Sequence, residues 1–275
     1  MTGTARRSLD LEFAGVGGRT ALTRRRYRWP LLIGRVFPDS AQPSVGTVTV
    51  QNAAGTLIPG DVVTQRIGVI DGGSAVVRGQ GATMVAGVPG GEPAAEETEV
   101  CVDGTGRLLL DASPRILTPH ARYRQHLRVW VRPGGRAVLV DAVVLHPDLS
   151  HDMFGSYEST VEIFGDDGGL LALDAQLLDA MPRVRRAPTA FATVYVIGDD
   201  LDTTMTALTP EIEAAAAPVL AGVSDLPHDA GWVVRLAADH GGVLRAALAA
   251  VSALVARVPC AAAATGSATP RTAPR

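Results

Sequence analysis

Within the seven residues HPDLSHD stand His146, Asp148, His151 and Asp152, two imidazoles and two carboxylates. That donor set suits a borderline divalent metal such as zinc or nickel, and a tightly held ion there would permit metal-dependent hydrolysis. The plainer reading is a polar loop, because Pro147 favours extended backbone before it and such loops carry His and Asp for solvation alone. Asp61, directly after GTLIPG, poses a similar choice between a carboxylate aimed into a cavity and one that caps its own turn. Asp141 lies in the middle of RAVLVDAVVL with apolar residues on both sides. A carboxylate there costs free energy unless it is paired or hydrated. Either an arginine partners it, with Arg128 and Arg136 as candidates, or it lines a wet channel.

The signatures of catalysis are missing around these residues. GxSxG, GxxxxGK[ST] and HExxH do not occur, and GVGGR at 15–19 does not complete GxGxxG. All 25 basic residues are arginine, which removes Schiff-base chemistry and a P-loop lysine. Cys101 and Cys260 form neither a disulfide framework nor a CxxC metal pair. The expectation is a protein that binds and positions rather than one that makes bonds, with no tightly bound cofactor. A second arginine-rich feature is RTALTRRRYRW at 19–29, where Arg24, Arg25, Arg26 and Arg28 flank Tyr27 and Trp29. A net charge of −3 and a pI near 6.1 argue against a nucleic-acid partner, which would call for a positive excess. The arginines are then read as the outward edge of an early strand, open to an acidic protein surface. MTGTARRSLDLEF lacks the apolar core of a signal peptide and no apolar run approaches a membrane span, so a cytoplasmic protein without membrane contact is expected.

The elements that must position these residues are mostly strands. TVTV (47–50), VVTQRIGVI (62–70), TEVCV (98–102), RLLL (107–110), LRVWV (127–131), RAVLVDAVVL (136–145), STVEIF (159–164) and TVYVI (193–197) are β-branched, partly alternating, and separated by turn signals. DGG at 71–73, PGG at 133–135 and DDGG at 166–169 supply residues tolerant of positive φ. ARYRQH (121–126) sets Arg122, Arg124 and His126 against Tyr123 and Gln125, which describes one solvated strand face. No fixed-period repeat is visible, and GVPGGEPAAEE (87–97) reads as a mobile loop. Further on, Thr209-Pro210 with Glu211 and Glu213 predicts a helix start, Pro218 a kink and Gly222 its end. GWVVRL (231–236) reads as another strand, and a second helix is expected from about Val243 to Val258. The fold class is mainly β, many short strands in stacked sheets with two C-terminal helices, as one domain over 1–258 and a disordered tail over 259–275.

LEFAGVGGRTALTRRR with PLLIGRVFP, then NAAGTLIPGD, ASPRILTPHARYRQ and AGVSDLPHDAGWVVRLAADHGGVLRAAL stand in an order that resembles the UreD (UreH) family of urease accessory proteins. Its opening matches Leu11, Phe13, Gly17, Gly18, Arg19, Thr20 and Leu22, then Pro30, Leu31, Phe37 and Pro38. NAAGTLIPGD keeps the Gly-Asp ending at Gly60 and Asp61. Pro114, Ile116, Tyr123 and Gln125 fit the next segment, and Asp141 stands where glutamate is usual. Gly222, Ser224, Leu226, Arg235 and Leu236 fit the C-terminal signature. Three segments depart: Thr83-Met84-Val85-Ala86-Gly87 replaces Thr-Lys-x-Tyr-Arg, His146-Pro147 and then His151-Asp152 replace Gly-Arg and Gly-Glu, and Ile58-Pro59-Gly60 replaces the glycine pair before Asp61, so contacts with partners are expected to differ.

The resemblance implies a β-helix-like stack with two helices that binds apo-urease and recruits UreF-like and UreG-like (GTPase) proteins to assist nickel insertion. Nickel would be a transient passenger in a water-filled tunnel, touching Asp61 and Asp141, with His146 and His151 as further ligands. Partner contact would fall to Arg24, Arg25, Arg26, Arg28 and Arg235. Two other readings remain at this point: a non-catalytic ligand- or carbohydrate-binding β-solenoid, and a metal-dependent hydrolase built on HPDLSHD. An aromatic content of 4% speaks against stacked sugars.

Overall fold

Inward and outward residues alternate along most of the chain, and this two-residue period organises the computed structural model, which describes residues 7–181 and 187–256. In chain order the strands are β1 (Leu9–Val16), β2 (Arg19–Tyr27), β3 (Leu31–Ile33), β4 (Phe37–Pro38), β5 (Gly46–Asn52), β6 (Thr56–Leu57) and β7 (Val62–Ile70). They continue as β8 (Ser74–Gly79), β9 (Thr83–Val85), β10 (Ala94–Val102), β11 (Arg107–Asp111), β12 (Arg115–Leu117), β13 (Arg122–Val131) and β14 (Arg136–Leu145). The last are β15 (Ser156–Phe164), β16 (Leu170–Leu178), β17 (Ala190–Gly198), β18 (Leu220–Asp225) and β19 (Gly231–Ala238). Helices α1 (Asp202–Ala216) and α2 (Gly241–Val255) complete the fold.

One sheet has the order β16-β15-β13-β10-β7-β1-β2 and the facing sheet β18-β19-β17-β14-β11-β8-β5-β3. Between β7 and β15 the chain winds as a solenoid. Each turn lays a strand on the first sheet, one on the second and, in the earlier turns, a further short strand that continues the second sheet, in parallel register with the turn before. Turns begin at Val62, Ala94, Arg122 and Ser156, so their lengths are unequal. Unequal turns hide the repeat from any search at constant spacing. At one corner of the stack the turns approach closely. A Cβ on Gly87 would lie 2.0 Å from the Ala121 nitrogen, and one on Gly155 would lie 2.1 Å from the Ala121 carbonyl oxygen. Glycine at 87, in the segment that departs from the family pattern, is therefore a packing requirement here.

The apolar core has two compartments. The first fills the space between the sheets, with Leu11, Phe13, Ile67, Val100, Val129 and Ile163 among its buried residues. The second lies between the outer face of β14, β17 and β19 and the two helices, through Met205, Leu208, Ile212, Leu244 and Val251.

The mainly β class with two helices near the C-terminus agrees with expectation, but several elements fall elsewhere. α1 begins at Asp202 and contains Pro210, rather than starting there. Its buried stripe of Met205, Leu208, Ile212 and Ala216 drives it through the proline, and the Thr209 hydroxyl donates to the Met205 carbonyl (2.9 Å) instead of capping. The helix stops ahead of Pro218, because the residue before a proline is pushed out of the α region, so Pro218 kinks nothing. Gly222 sits in β18 and ends no helix. The supposed mobile loop at 87–97 is overtaken by β10, whose first residues Ala94, Ala95 and Glu96 are buried. β16 was not expected at all. The last residues of the expected second helix and the tail at 259–275 lie outside the described residues.

Candidate functional site

Polar side chains cross the space between the two sheets in two hydrogen-bonded groups. From β12, Arg115 points inward, its Nε donating to Glu96 Oε2 and its Nη2 lying 2.8 Å from Glu96 Oε1. Its Nη1 donates to the Ser113 carbonyl. The Tyr123 hydroxyl donates to Glu96 Oε2 (2.6 Å) and approaches Gln125 Oε1 at 3.3 Å. Gln125 Nε2 in turn donates to Asp141 Oδ2 and to the Ser159 hydroxyl at 2.7 Å. Tyr157 reaches the same Asp141 oxygen at 3.4 Å. Further along, Asp174 Oδ2 on β16 accepts from the Tyr195 hydroxyl and from Arg235 Nη2, both at 2.7 Å.

Alternation on the strands dictates this arrangement. On β13, Tyr123 and Gln125 face in while Arg122 and Arg124 face solvent. On β10, Glu96 and Thr98 face in while Glu97 and Glu99 face out.

Burial sets the electrostatics. Burial raises the pKa of the Asp141 carboxyl above that of an ordinary aspartate, and Glu96 adds to this, while Gln125 and Arg115 pull the other way. Burial alone would lower the Arg115 pKa, but the Glu96 carboxylate more than offsets this and holds the guanidinium charged. Tyr123, Tyr157 and Tyr195 are all pushed up by burial and by the carboxylates they touch, so they act as neutral donors. Beside the series lies a cavity of about 100 Å³, reached by Glu96, Arg115, Gln125 and Asp141 together with Thr83 and Thr98. It has room for a few waters or a hydrated ion but not for a sugar ring, since organic ligands fill pockets of roughly 300–1,000 Å³.

The expected site residues are not gathered in one place. Asp141 is in the series, and its hydrogen-bond partners are Gln125 and Tyr157 rather than Arg128 or Arg136. Asp61 caps its own turn, its Oδ2 accepting from the Ile58 nitrogen (2.9 Å), immediately before β7. Its carbonyl receives the Ala95 N–H, one residue from Glu96. His146 Nδ1 lies 3.2 Å from the Asp148 nitrogen, while His151 is exposed on a single 3₁₀ turn where Ser150 bonds Asp152 (2.5 Å). Among the described residues, no three His, Cys, Asp or Glu side chains converge as metal ligands. A tight metal centre on HPDLSHD is thus not formed in this structure. No helix among the described residues is long and apolar enough to cross a membrane.

The sequence profile described as "UreD urease accessory protein" matches residues 5–272. The chain belongs to the UreD family. It is 54% identical over 248 residues to a urease accessory protein UreD of Mycolicibacterium smegmatis, covering 90% of each chain. It is 32% identical to UreD 2 of a Bradyrhizobium species over 90% of this chain and 88% of that one. A UreD 1 of Methylorubrum extorquens is also 32% identical, over 90% and 86%.

In this UreD-family chain the arginine-rich stretch is an edge strand, as the sequence implied. Arg24 is half-buried and bridges Glu12 (3.0 Å) and Asp10 (3.7 Å) across to β1. Arg25, Arg26, Arg28 and Trp29 are exposed, with Arg25 stacked 5.6 Å from the Tyr27 ring centre. Arg235 is at the far end of the molecule, on β19 beside Asp174. Sequence reasoning missed Glu96, Arg115 and Asp174. A signal for the first was available: glutamate two residues before Thr98 shares the inward register of a strand that begins earlier than its β-branched run.

Proposed function

We propose that this UreD-family chain is a non-catalytic scaffold of urease maturation in the cytoplasm. On this reading it grips apo-urease, works with UreF-like and UreG-like (GTPase) proteins, and lets nickel travel through its interior as cargo. What supports it is the series from Glu96 and Arg115 through Gln125 and Asp141 to Asp174. Carboxylates, amides and hydroxyls are laid through an otherwise apolar sandwich, against the ordinary cost of burying them. A transit path needs scattered oxygen ligands of modest affinity, since a closed site would trap the ion. Asp141 is the central ligand of that path. Asp61 lies at a corner leading toward Glu96, and His146 and His151 could serve only at the surface. The exposed Arg25, Arg26 and Arg28, with Arg235 at the opposite end, suit acidic protein partners.

Co-expression of the whole urease operon with Asp141→Ala tests this. Urease should accumulate with normal subunits but depleted nickel, and the variant should still co-purify with apo-urease. Full nickel occupancy beside an Asp141→Ala protein would sink the path.

A further inference from the structure

We propose that Arg235 is a latch on the outer end of the interior polar series, released when a carboxylate-bearing segment of a protein partner takes its guanidinium. The inference rests on the transit path just described. The second sheet ends in β17, β19 and β18, and the first sheet ends in β16, whose Asp174 meets Tyr195 of β17. Tyr195 on β17 and Val233 on β19 are still buried on the inward side, but on β18 that side is open at Leu220, Gly222 and Ser224, with Leu220 70% exposed.

Arg235 projects from that face. Its side chain is 53% exposed, yet its Nη2 lies 2.7 Å from Asp174 Oδ2, whose side chain is only 14% exposed. The same oxygen receives the buried Tyr195 hydroxyl, and both Tyr195 and Tyr157 feel the charges of Asp174 and Asp141 together. Asp174 is thus the last carboxylate before solvent, and a guanidinium covers it. Across the edge pair Arg235 faces Gly222, where an added Cβ would meet nothing within 4 Å. No side chain stands on β18 opposite Arg235.

Two consequences follow from charge. While Arg235 sits on Asp174, a divalent cation reaching that carboxylate meets a fixed positive charge within hydrogen-bonding distance. Because the pair is half exposed it is held weakly, so an incoming carboxylate can exchange with Asp174 at small cost. Partner docking would then uncover an anionic exit only when a recipient is present. An acidic segment is the chemistry that fits: it can pair bidentately with a guanidinium, and a basic one would be repelled.

The test is Ni²⁺ titration by calorimetry of the purified full chain as wild type, Arg235→Ala, Asp174→Asn and the double variant. Removing the guanidinium should tighten Ni²⁺ binding about fivefold, a change of the size one exposed ion pair can supply. In the Asp174→Asn background the same removal should do nothing. Arg235→Gln, which keeps the side chain's bulk, should behave as Arg235→Ala and guards against a packing artefact. Unchanged or weaker Ni²⁺ binding in Arg235→Ala, with an unaltered melting temperature, overturns the latch. The partner half is read in the operon assay, where Arg235→Glu should activate urease less than Arg235→Ala, because it repels the incoming carboxylate. Equal activation by the two overturns that half. If Asp141→Ala leaves urease fully nickel-loaded while the calorimetric cycle behaves as described, the path fails and the Arg235–Asp174 competition stands.

Discussion

Strands β10 and β13 carry the same chemistry on both faces, and the two faces hold it under different terms. Outside, a row runs in register across the first sheet from Arg26 through Asp10, Arg66, Glu99 and Arg128 to Glu162. Its contacts are partly open to solvent: Arg66 to Asp10 at 3.3 Å, with side chains 22% and 14% exposed, and Arg128 to Glu99 at 3.1 Å, with 36% and 24%. Inside, the Glu96 and Arg115 side chains are only 9% and 13% exposed and bond each other, and Glu96 also accepts from Tyr123. Exposed pairs exchange freely with water and contribute little, whereas a buried charge that loses its partner keeps its full desolvation cost. Charge on the outer face keeps that face hydrated. Inside the sandwich, apolar side chains of similar volume could often take the place of such a pair without loss of stability.

The largest expected effect breaks the inner pair. Arg115→Met should destabilise the fold by about 3–5 kcal/mol, because Glu96 is left buried with only Tyr123 to receive. Chemical denaturation measures this. The double variant Glu96→Leu/Arg115→Met should recover most of the loss, since apolar replacement of a whole buried pair is often neutral. Recovered stability with lost urease activation would separate the interior's use from its folding. Recovery of both would count the pair as structural only.

Next in size is Asp141→Asn. The carboxyl's pKa is raised in the folded protein, so the folded state binds a proton more readily than the unfolded one does. Its contribution to stability is therefore present below the unfolded value of 3.8 and is lost as pH rises through the raised folded value. Asparagine carries no such penalty. Near neutral pH the variant should be more stable by about 1 kcal/mol, the scale of one imperfectly compensated buried group. Its stability should also fall less between pH 4 and 7 than the wild type's, as thermal melts across that range would show. A variant that is tougher yet poorer at loading urease is the signature of a carboxylate kept for function.

How far these contrasts could be read from the sequence depends on local period. β14 announced itself as an apolar run interrupted by Asp141, and ARYRQH separated Tyr123 and Gln125 from the solvated arginines by strict alternation. What could not be read was which strands face each other. Arg115 meets Glu96 only because one turn of the solenoid brings β12 under β10, and no rule of spacing links positions 96 and 115. α1 failed for the opposite reason: Thr209-Pro210 is a sound local start signal, and the buried stripe from Met205 to Ala216 outweighs it. β16 went unseen because an exposed edge strand, with Leu173 and Leu177 facing solvent, lacks clean polar–apolar alternation. With it went Asp174, and hence any sequence-level reason to connect Arg235 to the interior.

The smallest effect is expected on the outer row, and it sharpens the comparison most directly. Arg128→Ala removes one contact from Glu99, which keeps Arg7 as a second partner, and leaves both carboxylate and strand face in water. The cost should be about 0.5 kcal/mol or less at low salt and should vanish toward 1 M salt, where the screening length is about 3 Å. Arg115→Met should show almost no salt dependence, because counter-ions do not reach a charge inside the sandwich. Denaturation of both variants in low and high salt gives four numbers, and the faces differ if only the outer loss disappears. A comparable loss for Arg128→Ala at high salt would mean that the outer row is held as rigidly as the inner series, and that burial is not what sets the two faces apart.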